Sequence, residues 1–324
     1  WEKRLFYKIY TQQSNYSIGG KLMGATTRWK DTETKSFDEA IQKMISPIMD
    51  DARSESGYRR NYTSSKVLPE DGNIILNGEN VRYNIIRYQF EQVSVENDPS
   101  EDKRVWKSGN IVVYEQRGIV YYIVDQNSTA KRFLRKLLSY SGKNEIEVAN
   151  FEFKEDFFLW LVCQVYNSVE AIEYDLGEEK KILQLEAIKG IRGDTEDLQT
   201  KITASGETLM NTISVLSFLF ESRKLNQVIL NLKYTGHQNI CVKLQKGTVE
   251  YQAPYVGEYL DSSSVELLAK LYLLLYIEIL PLLEQEYRMN IVDDIWNQDA
   301  YITFWTGIKE SIIESIENKI KTIK

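Results

Sequence analysis

Four basic residues crowd one short segment of the sequence, and their type and spacing favour contact with a polyanion. They lie on one side of a predicted helix, Ser128 to Ser139, whose apolar residues recur at helical spacing on the other side. Cations that neutralise phosphates release counterions, which favours nucleic-acid binding. With two further cations at neighbouring predicted turns, the candidate nucleic-acid-binding residues are Lys131, Arg132, Arg135, Lys136, Arg117 and Lys143. The solvated outer face of an amphipathic helix is the alternative explanation of the same pattern.

The same segment contains a short motif of serine acyl-transfer enzymes. Ser128-Thr129-Ala130-Lys131 has the S-x-x-K form, in which a lysine activates the serine. The partner motifs S-D-N and K-T-G are missing, and Lys246-Gly247-Thr248 has the letters of the second in another order. Ser128 or Thr129 can cap the helix, and because capping explains Ser128, we predict no catalytic residue here.

Two further patterns offer weaker alternatives. Gly190-Ile191-Arg192-Gly193 has the G-x-x-G form through which KH modules approach nucleotide phosphates, and an ordinary turn explains it as well. Asp175, Glu186 and Lys189 are the nearest approach to a metal-dependent nuclease site. Glu186 and Lys189 are three residues apart and therefore point to opposite faces of a predicted strand, which is poor geometry for such a site.

The supply of histidine and cysteine limits nucleophilic and zinc chemistry. His237 is the single histidine and lies in a predicted turn, where we expect it to face solvent. Cys163 and Cys241 lie in apolar runs, which is typical of buried thiols. These residues are too few and too dispersed for a tetrahedral zinc site, and no phosphate-binding glycine motif occurs. We predict no metal site and no cofactor.

The elements that must position these residues predict an α+β protein. Ser36 and Glu39 mark a capped helix that runs toward Pro47, while residues 11–36 and 53–73 are polar and predict loops or irregular structure. The other predicted elements are strands at Leu5–Tyr10, Val81–Phe90, 110–115, 118–124, Ile182–Ile191, Gln227–Tyr234, Ile240–Leu244 and Thr248–Gln252, and helices at Glu155–Tyr166, Glu207–Phe220, 262–279 and Tyr301–Ile323. This order predicts two modules, each with a small, mainly antiparallel sheet packed by helices, and a helical C-terminal segment.

Length and charge also favour two modules. A chain of 324 residues exceeds the usual size of one core. A polar, acidic stretch near residue 170 predicts the boundary between the modules. Residues 1–170 form the predicted N-terminal α+β module with the basic helix, and residues 171–324 form the predicted C-terminal α+β module with a helical tail. Residues 1–150 carry 23 basic and 20 acidic side chains and residues 151–324 carry 17 and 27, so the halves are +3 and −10. The first half is therefore the better place for a polyanion site.

The apolar segments of the sequence indicate whether the chain crosses a membrane and which helix packs on a partner or on the core. The best candidate for a membrane span, Leu271 to Ile277, lies between Lys270 and Glu278 and is far shorter than the roughly 20 residues that a span needs. We predict no membrane contact, and the absence of a disulfide framework favours the cytoplasm. The final helix docks on the core or on another subunit through a face that contains Ile302, Trp305, Ile308, Ile312, Ile316 and Ile320.

These patterns together predict a non-enzymatic binding, sensor or accessory protein. We expect it to contact nucleic acid through the basic helix and to assemble with protein partners or as a homo-oligomer, in a context such as bacterial phage defence or a mobile element. One alternative is a metal-dependent nuclease or nuclease subunit whose acidic site assembles from residues far apart in sequence. The other is a structural protein that self-assembles.

Overall fold

The computed structural model describes residues 23–55, 57–96, 102–125, 128–168, 171–176, 179–195, 201–205, 217, 219–220 and 222–323. The strands are β1 (Thr27–Asp31), β2 (Tyr58–Lys66), β3 (Gly72–Leu76), β4 (Glu79–Ser94), β5 (Lys103–Gln116), β6 (Ile119–Val124), β7 (Ile146–Val148), β8 (Ile172–Leu176), β9 (Glu179–Thr195), β10 (Lys201–Ser205), β11 (Ser222–Tyr234), β12 (His237–Gln245) and β13 (Thr248–Gly257). The helices are α1 (Phe37–Ile45), α2 (Ala130–Leu137), α3 (Glu155–Tyr166), α4 (Ser264–Leu274), α5 (Leu280–Val292) and α6 (Gln298–Ile323). A π-helical turn, Leu275–Ile279, joins α4 to α5.

The strands form two antiparallel sheets, and the α+β prediction is confirmed. The first sheet has the order β2-β4-β5-β6-β1-β7, with β3 paired to β4. The second has the order β10-β9-β11-β12-β13, with β8 paired to β9. The chain ends in the long helix α6, as the sequence predicts.

Two compact units divide the described residues. The N-terminal unit contains those within Trp1–Gly24, Trp29–Gly72 and Arg82–Val148, and the C-terminal unit contains those within Ala25–Arg28, Asn73–Val81 and Ala149–Lys324. The chain therefore passes between the units more than once. No single cut in the sequence separates them.

The core of the N-terminal unit lies between one face of the first sheet and the helices α1 and α2. Helix α1 begins as predicted, since the Ser36 side chain accepts a hydrogen bond from the Glu39 backbone N–H at 3.2 Å. The rings of Tyr88 on β4 and Phe133 on α2 meet edge to face with centroids 4.5 Å apart. Burial of such aromatic side chains is a large stabilising contribution to a core of this size.

A buried carboxylate, Asp31, joins three parts of the N-terminal unit. The backbone N–H groups of Glu33 and Thr34 donate to its Oδ1 at 2.9 Å. The Tyr122 hydroxyl on β6 donates to its Oδ2 at 2.5 Å, and the Tyr140 hydroxyl, just after α2, donates at 2.9 Å. A buried charge is tolerated only when it is hydrogen-bonded in this way.

Two segments that the sequence predicts as loops contain strands. The polar segment 53–73 includes β2, whose residues Tyr58 to Arg60 and Thr63 to Lys66 pair with β4, and segment 11–36 includes β1. Long-range pairing overrides the weak local preference of polar residues. The predicted strand Leu5–Tyr10 and most of the predicted helix Glu207–Phe220 lie outside the described residues.

The C-terminal unit packs α3 on β9 and β11. Helix α3 has the predicted bounds, is largely apolar and buries Phe157, Phe158, Trp160 and Leu161, among others. The π-helical turn carries Glu278, whose Oε2 accepts from the Tyr234 hydroxyl at 2.6 Å while its Oε1 accepts from the Asn77 backbone N–H at 2.5 Å. No helix within the described part of the chain is long and apolar enough to cross a membrane.

An ionic network in the N-terminal unit is centred on Asp71. Lys66 and Asn84 donate to its Oδ1 at 2.9 and 2.7 Å, and Arg82 bridges its Oδ2 to Asp38 on α1. Burial opposes ionisation of Asp71, but the hydrogen bonds from Lys66, Asn84 and Arg82 outweigh it and lower the pKa of Asp71 to about 2.

We expect Asp71→Asn to lower the free energy of unfolding by about 1 to 2 kcal/mol near neutral pH, because the ionised carboxylate binds its partners more tightly than an amide. The contribution of Asp71 is complete above its unfolded pKa of about 4 and is lost as the pH falls through about 2. Urea unfolding at pH 7 and pH 3 measures the difference, which is smaller at pH 3. The exposed Glu55→Gln is the control, and equal stability of wild type and Asp71→Asn at pH 7 contradicts the prediction.

Candidate polyanion-binding surface

The basic helix exists and is amphipathic as predicted. Ala130, Phe133, Leu134 and Leu137 are all buried in α2. Thr129, one of the two predicted N-cap residues, takes the N-cap position, although its side chain makes no cap hydrogen bond. The capping role that we assigned to Ser128 is therefore not observed.

Helix α2 ends at Leu137, two residues before the predicted end at Ser139. Ser139 adopts a left-handed conformation with φ of 55°. The Ser139 and Tyr140 N–H groups donate to the carbonyls of Lys136 and Arg135 at 3.1 and 2.8 Å. This double hydrogen bond is a Schellman motif, which a serine completes here in place of the usual glycine.

Two of the four helix cations are engaged within the fold. Lys136 forms an ion pair with Asp51, and its ammonium lies 4.8 Å from the centre of the Tyr62 ring. Arg135 Nε approaches Glu145 Oε2 at 3.3 Å without hydrogen-bond geometry, and both side chains are mostly buried. Their charges are thus largely neutralised by neighbouring carboxylates.

The other two helix cations point outward. Arg132 is exposed and Lys131 is half-buried, and neither forms an ion pair with a described residue. The structure thus leaves two cations of α2, and not four, without a carboxylate partner among the described residues.

The turn residues Arg117 and Lys143 lie at different places in the N-terminal unit. Lys143 is exposed two residues before Glu145, which contacts α2 through Arg135. Arg117 occupies the predicted β5–β6 hairpin turn with φ of 53°, and Gly118 follows with φ of 72°, a type I′ geometry. The length of β6 separates Arg117 from the start of α2, roughly 20 Å at about 3.3 Å per residue. Lys143 is therefore near the last turn of α2, whereas Arg117 lies at the far end of β6.

A second group of exposed cations lies on β5, and these cations were not among the predicted binding residues. Residues 103–108, which we call the β5 extension, are all exposed. Strand β6 pairs only with Ile111–Gln116, so no strand in the described part of the chain covers the outer edge of the extension. Its sequence, Lys-Arg-Val-Trp-Lys-Ser, interleaves cations with an aromatic residue and could have signalled a nucleic-acid contact.

Lys107 of the β5 extension emerges on the face of the sheet against which α2 packs. It lies directly opposite Phe90 in the β4–β5 ladder, and directly opposed residues share a face. The Phe90 ring in turn lies 5.8 Å from that of Phe133 on α2, and the Arg59 guanidinium stacks over Phe90 at 4.9 Å. Lys107, Arg59 and α2 therefore surround one aromatic cluster.

Arg104 and Trp106 emerge on the opposite face of the β5 extension. Trp106 is 54% exposed, an unusual fraction for tryptophan. Its partner across the ladder is Glu91, which Arg60 holds at 2.6 Å. Because Glu91 is already neutralised by Arg60, it does not cancel the positive charge of the extension.

The alternative motifs occupy ordinary structural positions. Gly190 to Gly193 lies inside β9, paired with β10 on one side and β11 on the other, so both the KH-loop and the turn interpretations are wrong. Glu186 forms an ion pair with Lys233, and Asp175 lies on β8 opposite Lys180. Among the described residues, no group of three or more His, Cys, Asp or Glu side chains is placed to hold a metal ion.

His237 is buried, which contradicts the prediction that it faces solvent. It begins β12, its Nδ1 lies 2.6 Å from the Tyr255 hydroxyl, and its ring meets that of Tyr259 edge-on at 4.7 Å. Burial, with a smaller contribution from the positive charge of Lys181, lowers the pKa of His237 to about 4. Cys163 and Cys241 are buried as predicted.

Comparison of the chain with models of protein families gives no match. A search of curated protein sequences finds no relative either.

We expect the pH dependence of stability to report the burial of His237. The pKa of its imidazole is lower in the folded than in the unfolded protein, so its contribution to stability is complete above about pH 6.5 and is lost as the pH falls toward 4, by roughly 2 to 3 kcal/mol. Since the chain has one histidine, proton NMR reads its titration without assignment.

The folded protein should show the neutral imidazole down to below pH 5, and the urea-unfolded protein should titrate near 6.5. His237→Gln is the control, since it removes the titrating group and should flatten the stability profile between pH 4 and 6.5. A folded-state pKa near 6.5 contradicts the buried position.

Proposed function

We propose that this chain is a nucleic-acid-binding protein that contacts single strands through its N-terminal unit. The observation that carries the proposal is the pairing of two exposed features in one unit, namely the outward cations of α2 and the β5 extension with its exposed Trp106. Cations bind the phosphates of a strand, and an exposed aromatic ring stacks on its bases.

The distribution of charge supports the same assignment. Residues 1–150 carry a net charge of +3 and residues 151–324 carry −10, so a polyanion is attracted to the first region and repelled from the second. Within the first region the cations divide into two groups. One group, which includes Lys136, Arg60 and Lys66, is held by carboxylates and stabilises the fold. The other, which includes Arg132, Lys131 and Lys107, forms no ion pair with a described residue and is suited to bind phosphates.

Single strands suit this surface better than duplexes for a geometric reason. Helix α2 has eight residues and buries one side, so it offers a base-reading helix of little more than two turns. The β5 extension exposes both faces and one edge, and Trp106 is accessible for stacking. Stacking on an aromatic ring needs unpaired bases and tolerates any sequence.

We expect Lys131→Ala with Arg132→Ala to weaken binding of a labelled single-stranded DNA or RNA by roughly tenfold at 50 mM salt. The slope of log affinity against log salt should fall by about 1.4, or 0.7 for each lost phosphate contact. Fluorescence anisotropy over 25 to about 300 mM salt measures both quantities. Lys107→Ala in the same series should reduce the slope by about 0.7.

The matched control is Lys180→Ala with Arg288→Ala, which removes two exposed cations from the C-terminal unit. It changes the net charge equally and should leave the slope unchanged. Arg117→Ala and Lys143→Ala decide whether the two turn residues belong to the surface. Equal losses in both double variants, or no binding by the wild type at low salt, contradict the proposal.

Trp106→Ala should weaken binding by about 1 to 3 kcal/mol without changing the salt slope, because stacking releases no counterions. Binding of poly-dT and of a 20-base-pair duplex is compared for wild type and variant. The loss should be confined to the single strand. Val105→Ala, on the neighbouring exposed position, is the control for disturbance of the strand. An equal loss for the duplex would show that Trp106 acts by another route.

A further inference from the structure

We infer that Asn77 is a site of deamidation, and that the reaction releases the β3–β4 turn from the π-helical turn Leu275–Ile279. Asn77 and Gly78 are the two residues between β3 and β4, and they are the single Asn-Gly pair in the sequence. Both belong to the C-terminal unit, as does the π-helical turn. The reaction needs no nucleic acid and is independent of the proposed function.

The turn gives the Asn77 amide a neighbour with which it can react. Asn77 and Gly78 have φ of 51° and 71°, a type I′ geometry for which Asn-Gly is a preferred sequence. Gly78 is exposed, and no described atom lies within 4 Å of the position that a Cβ would take. Because glycine has no side chain, its backbone nitrogen is more accessible to the Asn77 amide than that of any other residue would be.

The reaction exchanges the amide for a carboxylate through a cyclic imide. The Gly78 nitrogen gives up its proton to solvent base and forms a bond to Cγ of Asn77. The bond from Cγ to Nδ2 then breaks, and the leaving nitrogen takes up a proton and departs as ammonia. Water opens the imide at either of its carbonyl carbons, and the Gly78 nitrogen regains its proton. The products are aspartate, with the original chain path, and isoaspartate, in which the chain runs through the side-chain carbon.

The amide that is lost is the group that docks the turn. Asn77 Nδ2 donates to the Ile277 carbonyl at 2.6 Å, and the Asn77 backbone N–H donates to Glu278 Oε1 at 2.5 Å. Glu278 is 4% exposed, and its other oxygen accepts from the Tyr234 hydroxyl. The β3–β4 turn is thus held on the π-helical turn by two donors from one residue.

Aspartate at position 77 cannot keep this contact. An ionised aspartate has only acceptor oxygens, so an oxygen would face the Ile277 carbonyl where a donor now lies. The change also brings a second acidic side chain beside Glu278. Isoaspartate lengthens the backbone between residues 77 and 78 and so changes the path of the two-residue turn. Because neither product reverts to asparagine, the release runs in one direction.

The same contacts slow the reaction while the turn is docked. Ring closure requires the Asn77 side chain to rotate until its Cγ reaches the Gly78 nitrogen, and the hydrogen bond to Ile277 restrains this rotation. Local opening of the turn frees the side chain. Deamidation therefore accumulates in molecules whose turn has opened, and it then keeps the turn open.

Ageing of the full chain tests the reaction. Wild type is held at mildly alkaline pH for several weeks, in native buffer and in unfolding urea, and peptide mass spectrometry measures aspartate and isoaspartate in residues 73–81. In urea, Asn77 should react faster than Asn73 and Asn80, which are not followed by glycine. In native buffer, Asn77 should react at least about tenfold more slowly than in urea. An unmodified Asn77 in urea, or equal rates in the folded and unfolded protein, overturns the inference.

Asn77→Asp reproduces one product and tests the release. Hydrogen–deuterium exchange of residues 73–81 should become at least about tenfold faster than in wild type, because both docking hydrogen bonds are weakened. Asn80→Asp is the matched control, since it adds the same charge at an exposed position of the same hairpin, and should leave exchange within about threefold of wild type. If Asn77→Asp does not fold, deamidated wild type separated by ion exchange after ageing supplies the product for the same measurement. Exchange equal to that of wild type overturns the release.

Discussion

The buried carboxylate of Asp31 is the interaction on which the N-terminal unit depends. It accepts hydrogen bonds from two backbone N–H groups, from Tyr122 on β6 and from Tyr140 beyond α2. A carboxylate is accommodated in a core only when such donors surround it, so the loss of one leaves a buried acceptor with fewer partners. The Tyr140 backbone N–H completes the Schellman motif of α2, so its hydroxyl contact ties the end of the basic helix to Asp31.

Local sequence signals predicted much of the fold, and long-range pairing explains the rest. The Ser36 cap, the hairpin at Arg117 and Gly118, and helix α3 were predictable because each depends on residues a few positions apart. The polar strand β2 was not predictable, because its place is decided by partners on β4 that lie 20 to 35 residues later. The loop and turn predictions for Gly190 to Gly193 were wrong for the same reason, because pairing with strands on both sides sets the conformation of these residues.

The candidate site was predictable in position but not in composition. The sequence showed four cations on one side of a helix, and the structure contains that helix. The sequence could not show that two of these cations form ion pairs within the fold. Lys136 pairs with Asp51, 85 positions earlier, and Arg135 pairs with Glu145. The β5 extension was missed because the apolar run that defines a strand by sequence begins only near residue 110, whereas pairing with β4 carries the strand back to Lys103. His237 was misjudged because burial depends on residues such as Tyr255 that close over it from another strand.

The hairpin turn at Asn77 has a consequence for the order in which the protein is built on the ribosome. Its backbone N–H donates to Glu278, a residue 201 positions later, and both belong to the C-terminal unit. During synthesis at about 5 to 20 residues per second, this early segment must wait at least ten seconds or so for its partner to emerge. Meanwhile the chain around it can complete the N-terminal unit. The turn is thus a delayed contact, because the Asn77 backbone N–H stays bound to water until Glu278 has been synthesised.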